Sequence, residues 1–274
     1  REIEADQKQY GDARRTLIEE AQRAVAEQKV LDEPVTVIIS EKGWVRARTG
    51  VGHDVNQFSF KAGDAIYGAF ECRTVDQLLV FASNGKIYSV PVSALPGARG
   101  DGVPITTLIE LASGARVQHY FAGNSDTMLL LAGSGGYGFA AKAGDMVSRT
   151  KAGKSYVSLE EGESLLPPRV LSTGLSQLAC LSEQGRVLLF PLADLKTLSA
   201  GGRGTMLMSL QDAEKLLVAL PTGAKGVTVS GIGRGNKPQE VALANSALQP
   251  HLGKRGGKGK ALETKMKADK LSAM

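Results

Sequence analysis

Cysteine, histidine and aromatic residues are scarce in these 274 residues, and each shortage closes off a class of protein. Cys72 and Cys180 stand far apart without a partner motif. They give neither a disulfide scaffold nor a zinc knuckle, and such usage suits a reducing compartment. The three histidines, His53, His119 and His251, are scattered, with no pair at metal-ligand spacing. One Trp and 5% aromatic residues leave too few rings for single-strand stacking platforms. No apolar run reaches the roughly 20 residues of a membrane span. Arg1-Glu2-Ile3-Glu4 lacks a signal peptide's apolar stretch, and the absence of an opening Met marks an expected segment of a longer chain. There is no G-x-S-x-G elbow, neither cysteine has a nearby His, and Glu160-Glu161 reads as a solvated face. The expectation is therefore no catalytic residue, no metal ligand and no cofactor in this segment.

What is present is glycine, at 33 residues, and an uneven charge. Lys and Arg number 33 against 28 Asp and Glu, yet the first 250 residues sum to zero. The excess of +5 lies wholly in residues 251–274. Residues 1–29 carry apolar positions at helical spacing among charges, with Gly11-Asp12 as a break, and Pro34 closes the segment. Beyond it come short β-branched runs separated by glycine turns.

Five of these runs repeat as strand, glycine turn, strand: Val35 to Ala47, Leu78 to Val90, Met128 to Phe139, Leu178 to Phe190 and Leu216 to Val229. Each predicts a hairpin, because Asn-Gly and Gln-Gly supply the positive φ such turns need. A second element keeps tighter time. Basic residues beside glycines begin at Arg48, Arg99, Lys151, Arg203 and Arg255, at intervals of 51, 52, 52 and 52. Modules of about 50 residues with several strands predict an all-β fold of radially arranged sheets, in which neighbours bury one another's faces. The expected organisation is a helical linker over 1–33, a five-module β body over 34–260 and a basic tail over 261–274.

Gly133-Ser-Gly135-Gly-Tyr-Gly138 fits G-x-G-x-x-G after a strand, but a glycine-broken segment follows where a helix is required, so it reads as a hairpin turn. Arg99-Gly-Asp101 falls inside a repeating loop and carries no separate meaning. The basic loops do carry one. Glycine lets backbone approach a phosphate closely, and Lys or Arg releases counterions from duplex DNA. At constant period these loops would line one rim with positive charge, a rail for a phosphate backbone rather than a reader of bases. The candidates are Arg48, Arg99, Lys151, Lys154, Arg203, Lys254, Arg255 and Lys258, with Lys42, Arg46, Lys86 and Arg186 beside the hairpin turns as a second set.

Lys254-Arg-Gly-Gly-Lys-Gly259 resembles the Q-R-R-G-G-K-G box of gyrase A, with Gly253 in place of the leading Gln. The surrounding repeats resemble the β-pinwheel C-terminal domains of bacterial type IIA topoisomerase A subunits. Glu33-Pro-Val-Thr-Val, Gly43-Trp-Val-Arg46, Leu95 to Gly102, Gly136 to Phe139 and Leu165-Leu-Pro-Pro168 resemble the topoisomerase IV branch in particular. Tyr10 to Thr16 is similar to the segment leaving the helical arm of the breakage-reunion domain. The box stands in the last module rather than early, and five modules are visible where gyrase typically has six.

The resemblance implies a five-bladed β-pinwheel with a short helical linker that binds and bends double-stranded DNA. It implies a nucleophilic tyrosine outside these residues, and ATP and Mg used elsewhere in the holoenzyme. The implied partners are the breakage-reunion domain of the same polypeptide and the separate ATPase subunit of the enzyme, in the cytoplasm at the nucleoid. A gyrase-type wrapping domain, a propeller that binds an acidic protein, and a propeller enzyme with His or carboxylates on its channel stay open as alternatives.

Overall fold

The computed structural model describes residues 1–11 and 31–274. The chain divides into two units, Arg1–Val30 and Leu31–Met274. In the first, Glu2–Tyr10 is helical and exposed throughout, and the Gly11 N–H bonds the Gln7 carbonyl at its end. Residues 12–29 of the expected helix lie outside the described residues.

The second unit holds five small antiparallel sheets. The first is built on the hairpin Pro34–Ser40 and Trp44–Thr49, the second on Gln77–Ala82 and Lys86–Pro91. The third uses Met128–Ala132 and Tyr137–Lys142, and the fourth Gln177–Ser182 and Arg186–Pro191. Glycines at positive φ make the turns, Gly85 at 73° and Gly185 at 72° among them. The G-x-G-x-x-G run is one of these turns, with the Gly136 N–H on the Gly133 carbonyl at 3.0 Å.

The fifth hairpin differs from expectation. Leu216–Thr222 is not its first strand; it pairs with Gln177–Ser182 in sheet four. The hairpin is Val227–Ile232 with Pro238–Leu243, turning through Gly233 to Lys237. Leu216 and Val227 both begin β-favouring runs on either side of a glycine turn, so sequence alone does not tell a hairpin from a crossing between sheets.

Each hairpin gains a third strand from the residues that follow it: Ile66–Arg73, Val117–Gly123, Arg169–Val170, Leu216–Thr222 and Lys267–Ala273. Third strands touch one another between sheets one and two, three and four, and four and five, which places them innermost. The last of them overturns the expected basic tail, because Lys267–Ala273 pairs with Val227–Ile232. Met266, Ala268 and Leu271 are buried and bring it into the body.

The fourth, outermost strand of sheets one to four comes from the next module along. Val103–Pro104, Lys154–Ser155, Thr205–Met206 and Lys260–Ala261 pair with the second hairpin strands of the preceding sheets. A glycine precedes each. Gly102 and Gly204 have φ of 89° and 83°, and a Cβ there would stand 2.3 Å from the Val45 and Gly138 carbonyl oxygens. No side chain fits between the exchanged strand and its host. Sheet five has three strands. Its Pro238 stands where Val45, Ile87, Gly138 and Val187 receive the exchanged strand, and proline has no N–H to offer there.

Four apolar clusters lie between successive sheets. Leu79, Phe81, Phe139 and Tyr156 fill the one between sheets two and three, and Ala179, Leu189, Val229 and Leu243 the one between four and five. Residues following an exchanged strand, such as Tyr156-Val157 and Leu207-Met208, drop into these clusters. A fully buried Leu or Phe contributes about 1.5–3 kcal/mol, so the exchange and the packing reinforce each other.

Candidate nucleic-acid interface

Strand exchange decides where each basic loop goes. The loop before each exchanged strand runs along the outer edge of the preceding sheet. The Ala47 N–H bonds Pro96 O, Ala140 bonds Lys196 O, and Gly253 donates to Leu189 O, at 2.8–2.9 Å. Arg99, Lys151, Lys254 and Lys258 stand exposed on such loops. Arg48 is exposed too, but on the hairpin strand of sheet one rather than on an exchanged loop.

Other candidates turn inward. Lys154 donates to the Asp145 carbonyl and lies over the Tyr156 ring at 5.1 Å. Arg203 pairs with Glu160 and with Glu163, the latter at 2.8 Å, and stacks on Tyr137 at 4.4 Å. Arg255 is half-buried and bonds Met206 O at 2.9 Å. Of the second set, Lys42 is exposed and Lys86 half-exposed. Arg46 and Arg186 are only 6% and 8% exposed and fully engaged inside the fold. Letter and spacing gave Lys154, Arg203 and Arg255 the same standing as Arg99; what stands beside each in space, acids at Arg203 and backbone carbonyls at Lys154 and Arg255, decides which are engaged.

Arg186 faces Glu214, with Nε to Oε1 at 3.2 Å. Burial pushes the Glu214 carboxyl up, but the guanidinium and the Gln211 N–H outweigh it and hold the group below its ordinary range. Glu163 plays the same part in sheet three, receiving Arg203 and the Glu160 N–H.

The sequence reading missed a further set of cations. Lys225, Arg234, Lys237, Lys265, Lys267 and Lys270 are exposed around sheet five, in its turns and on its third strand. The charge assigned to a tail thus sits on a folded surface. The signal for it was Met266, Ala268 and Leu271 spaced among the lysines, an apolar alternation shifted by one residue at the bulge beside Asp269.

Among the described residues no group of three metal-ligating side chains occurs. Burial pushes both the Cys72 and Cys180 thiols to about 12, which leaves them protonated at neutral pH. Each histidine meets a backbone carbonyl: His53 that of Thr49, His119 that of Leu165, and His251 that of Val187.

His119 lies on the innermost strand of sheet two. Its Nε2 faces the Leu165 carbonyl at 3.0 Å, so that nitrogen carries the proton. Nδ1 then accepts from the Tyr67 hydroxyl at 3.3 Å, and the same hydroxyl receives the Tyr120 N–H. Burial lowers the pKa of His119 and of His251 below the ordinary 6.5. The unfolded chain therefore binds more protons once pH falls below about 6.5. Stability is expected to decline as pH drops from there, and His119→Gln removes part of the decline; urea midpoints against pH measure it.

The fold and its outer loops define a β-propeller-class domain with a basic rim built by strand exchange. The family model of the DNA gyrase C-terminal domain, a β-propeller, matches residues 76–118 and 176–223. The solved C-terminal domain of E. coli ParC aligns with a TM-score of 0.79 at 30% identity, over 88% of this chain and 98% of that one. A C-terminal domain of DNA topoisomerase IV aligns at TM-score 0.72 and 17% identity, over 89% of this chain and 78% of that one, which speaks for the fold.

The chain belongs to the family of C-terminal domains of DNA gyrase and topoisomerase IV A subunits. The A subunit of DNA topoisomerase 4 from Neisseria gonorrhoeae is 39% identical over 264 residues, covering 93% of this chain and 34% of the relative. The chain spans about a third of the length of such relatives.

Proposed function

We propose that this domain holds a duplex DNA segment along its outer rim and bends it. In that reading it presents the segment to the cleavage core of a topoisomerase IV-type enzyme for ATP-dependent strand passage, in decatenation and relaxation at the bacterial nucleoid. The observation that carries the reading is the recurrence of exposed Arg99, Lys151 and Lys258 on loops exchanged between successive sheets. Arg48, Lys254 and Lys42 extend the same charge. These cations sit on backbone pinned to neighbouring sheets, so little ordering entropy is lost on binding.

The contacts are to phosphates, since the helical turns before the exchanged strands are short, Asn245–Leu248 among them, and offer no recognition helix or ribbon for a groove, and binding is expected to be indifferent to sequence. Bending 20–30 bp costs about 1–6 kcal/mol, which several charge contacts acting together offset. In this reading the breakage-reunion domain supplies the tyrosine, and the enzyme's separate ATPase polypeptide supplies the ATP and Mg chemistry.

Energy transfer between dyes at the ends of a random 30-bp duplex tests the bend. Added domain should raise transfer, and the rise should fade with salt. Binding with unchanged transfer removes the bending part, and binding only to an acidic protein removes the reading.

A further inference from the structure

Two largely buried arginines grip the basic loops from behind. Arg46 lies on the second hairpin strand of sheet one and Arg186 on that of sheet four, two positions apart in hairpin alignment and so on the same face of the strand. Arg46 donates through Nη1 to Gly100 O at 2.9 Å, inside the exchanged loop of Arg99. Arg186 donates through Nη1 to Lys258 O, inside the exchanged loop of Lys254 to Gly259.

Each also bonds a carbonyl in the segment leading to its own sheet's third strand, seven residues before that strand. Arg46 reaches Ser59 O at 2.7 Å, and Arg186 reaches Ser209 O at 3.2 Å through Nη2. The remaining face of each guanidinium is satisfied differently, by the Phe60 ring at 5.3 Å for Arg46 and by Glu214 for Arg186.

We infer that Arg46 and Arg186 are positioning residues for duplex binding, an inference that rests on the DNA reading above. A guanidinium that binds a loop carbonyl turns that oxygen inward. The trans peptide then directs the next N–H, of Asp101 or Gly259, away from the guanidinium. The loop's negative ends face the sheet, while Arg99 and Lys258 face solvent. The planar fork is essential, because one side chain must span carbonyls of two separate segments at fixed angles. Lysine keeps the charge and loses the fork.

The test uses Arg186→Lys and Arg46→Lys in the whole domain. Arg46→Lys leaves no carboxylate unpaired and covers the case in which Arg186→Lys fails to fold. Two readouts apply: amide exchange of residues 99–102 and 254–259, and affinity for a random duplex across a salt series. The expected result is faster exchange confined to the facing loop. Affinity falls about tenfold, the scale of ordering one or two rim side chains anew, with an unchanged salt slope.

In Arg46→Gln, which removes the charge, a slope shallower by about 0.9 means the arginine itself neutralises a phosphate and overturns the inference. So does faster loop exchange with unchanged affinity. If the unaltered domain shows no salt-dependent duplex binding, the DNA reading fails with its positioning role, and the exchange data still report whether the clamp orders the loop.

Discussion

Replacing Arg99, Lys151 and Lys258 together by alanine is expected to cut duplex affinity by about several hundredfold at about 0.1 M salt and to make the salt slope shallower by about 2.7. The reason is counterion release. Each phosphate neutralised on B-DNA contributes roughly 0.9 to the slope of log affinity against log salt, whatever the sequence. The three side chains are exposed, and no salt bridge is formed by any of them among the described residues. Surface changes of that kind typically move stability by only about 0.5 kcal/mol, so the loss is one of binding.

Arg203→Ala is the contrasting variant. It carries a basic-loop arginine of the same period, but Glu160, Glu163 and Tyr137 already hold its guanidinium. Its removal should lower stability, since the Glu163 side chain is only 13% exposed, and leave the slope in place. Titrations at four or five salt concentrations decide it. A triple variant with the original slope would show that the rim does not hold phosphates.

Gly204→Ala is expected to destabilise the domain by about 3 kcal/mol or more, whereas Gly185→Ala costs about 1–2 kcal/mol. Both glycines have positive φ, 83° and 72°, so both substitutions meet the same left-handed backbone penalty. They differ in what the new methyl meets. At Gly185 nothing lies within 4 Å, while at Gly204 the Gly138 carbonyl oxygen would be 2.3 Å away and the Phe139 ring 2.9 Å. The exchanged strand Thr205–Met206 would have to lift from Tyr137–Lys142, carrying Leu207 and Met208 out of the cluster between sheets three and four. Urea unfolding of the two variants side by side is the measurement. Equal losses would mean that the close approach of the exchanged strand does not matter to stability.

Much of this architecture was legible in the residues. Four of the five hairpins announce themselves by apolar runs around Gly43, Gly85, Gly136 and Gly185, because a tight turn between right-twisted strands needs positive φ and only glycine gives it cheaply. The third strands were not read. Ile66–Arg73 contains Gly68 and Ala69 and lines the centre half-buried, so it shows neither alternation nor a continuous apolar run. The fifth hairpin was set one strand too early, since the turn at Gly223 looks like the others and only pairing distinguishes it. Lys267–Ala273 falls within the expected basic tail, although Ala268 and Leu271 along it are buried.

The sequence by itself determined the radial β class, the count of five units, the near-constant period of the basic loops and the membership of the gyrase and topoisomerase IV family. The class, the count and the period follow from local signals, periodic apolar runs and turn glycines, which act within a few residues, while the family follows from motif resemblance, Lys254 to Gly259 foremost. Only the tertiary structure decided that sequence modules and sheets are out of step, with sheets one to four each borrowing an outer strand from the module ahead. It also decided which cations are free, because Arg99 and Arg203 are equivalent in spacing but only Arg203 lies beside Glu160 and Glu163. A charge is neutralised by what stands next to it in space, and for Arg203 those neighbours come from chain about 40 residues away.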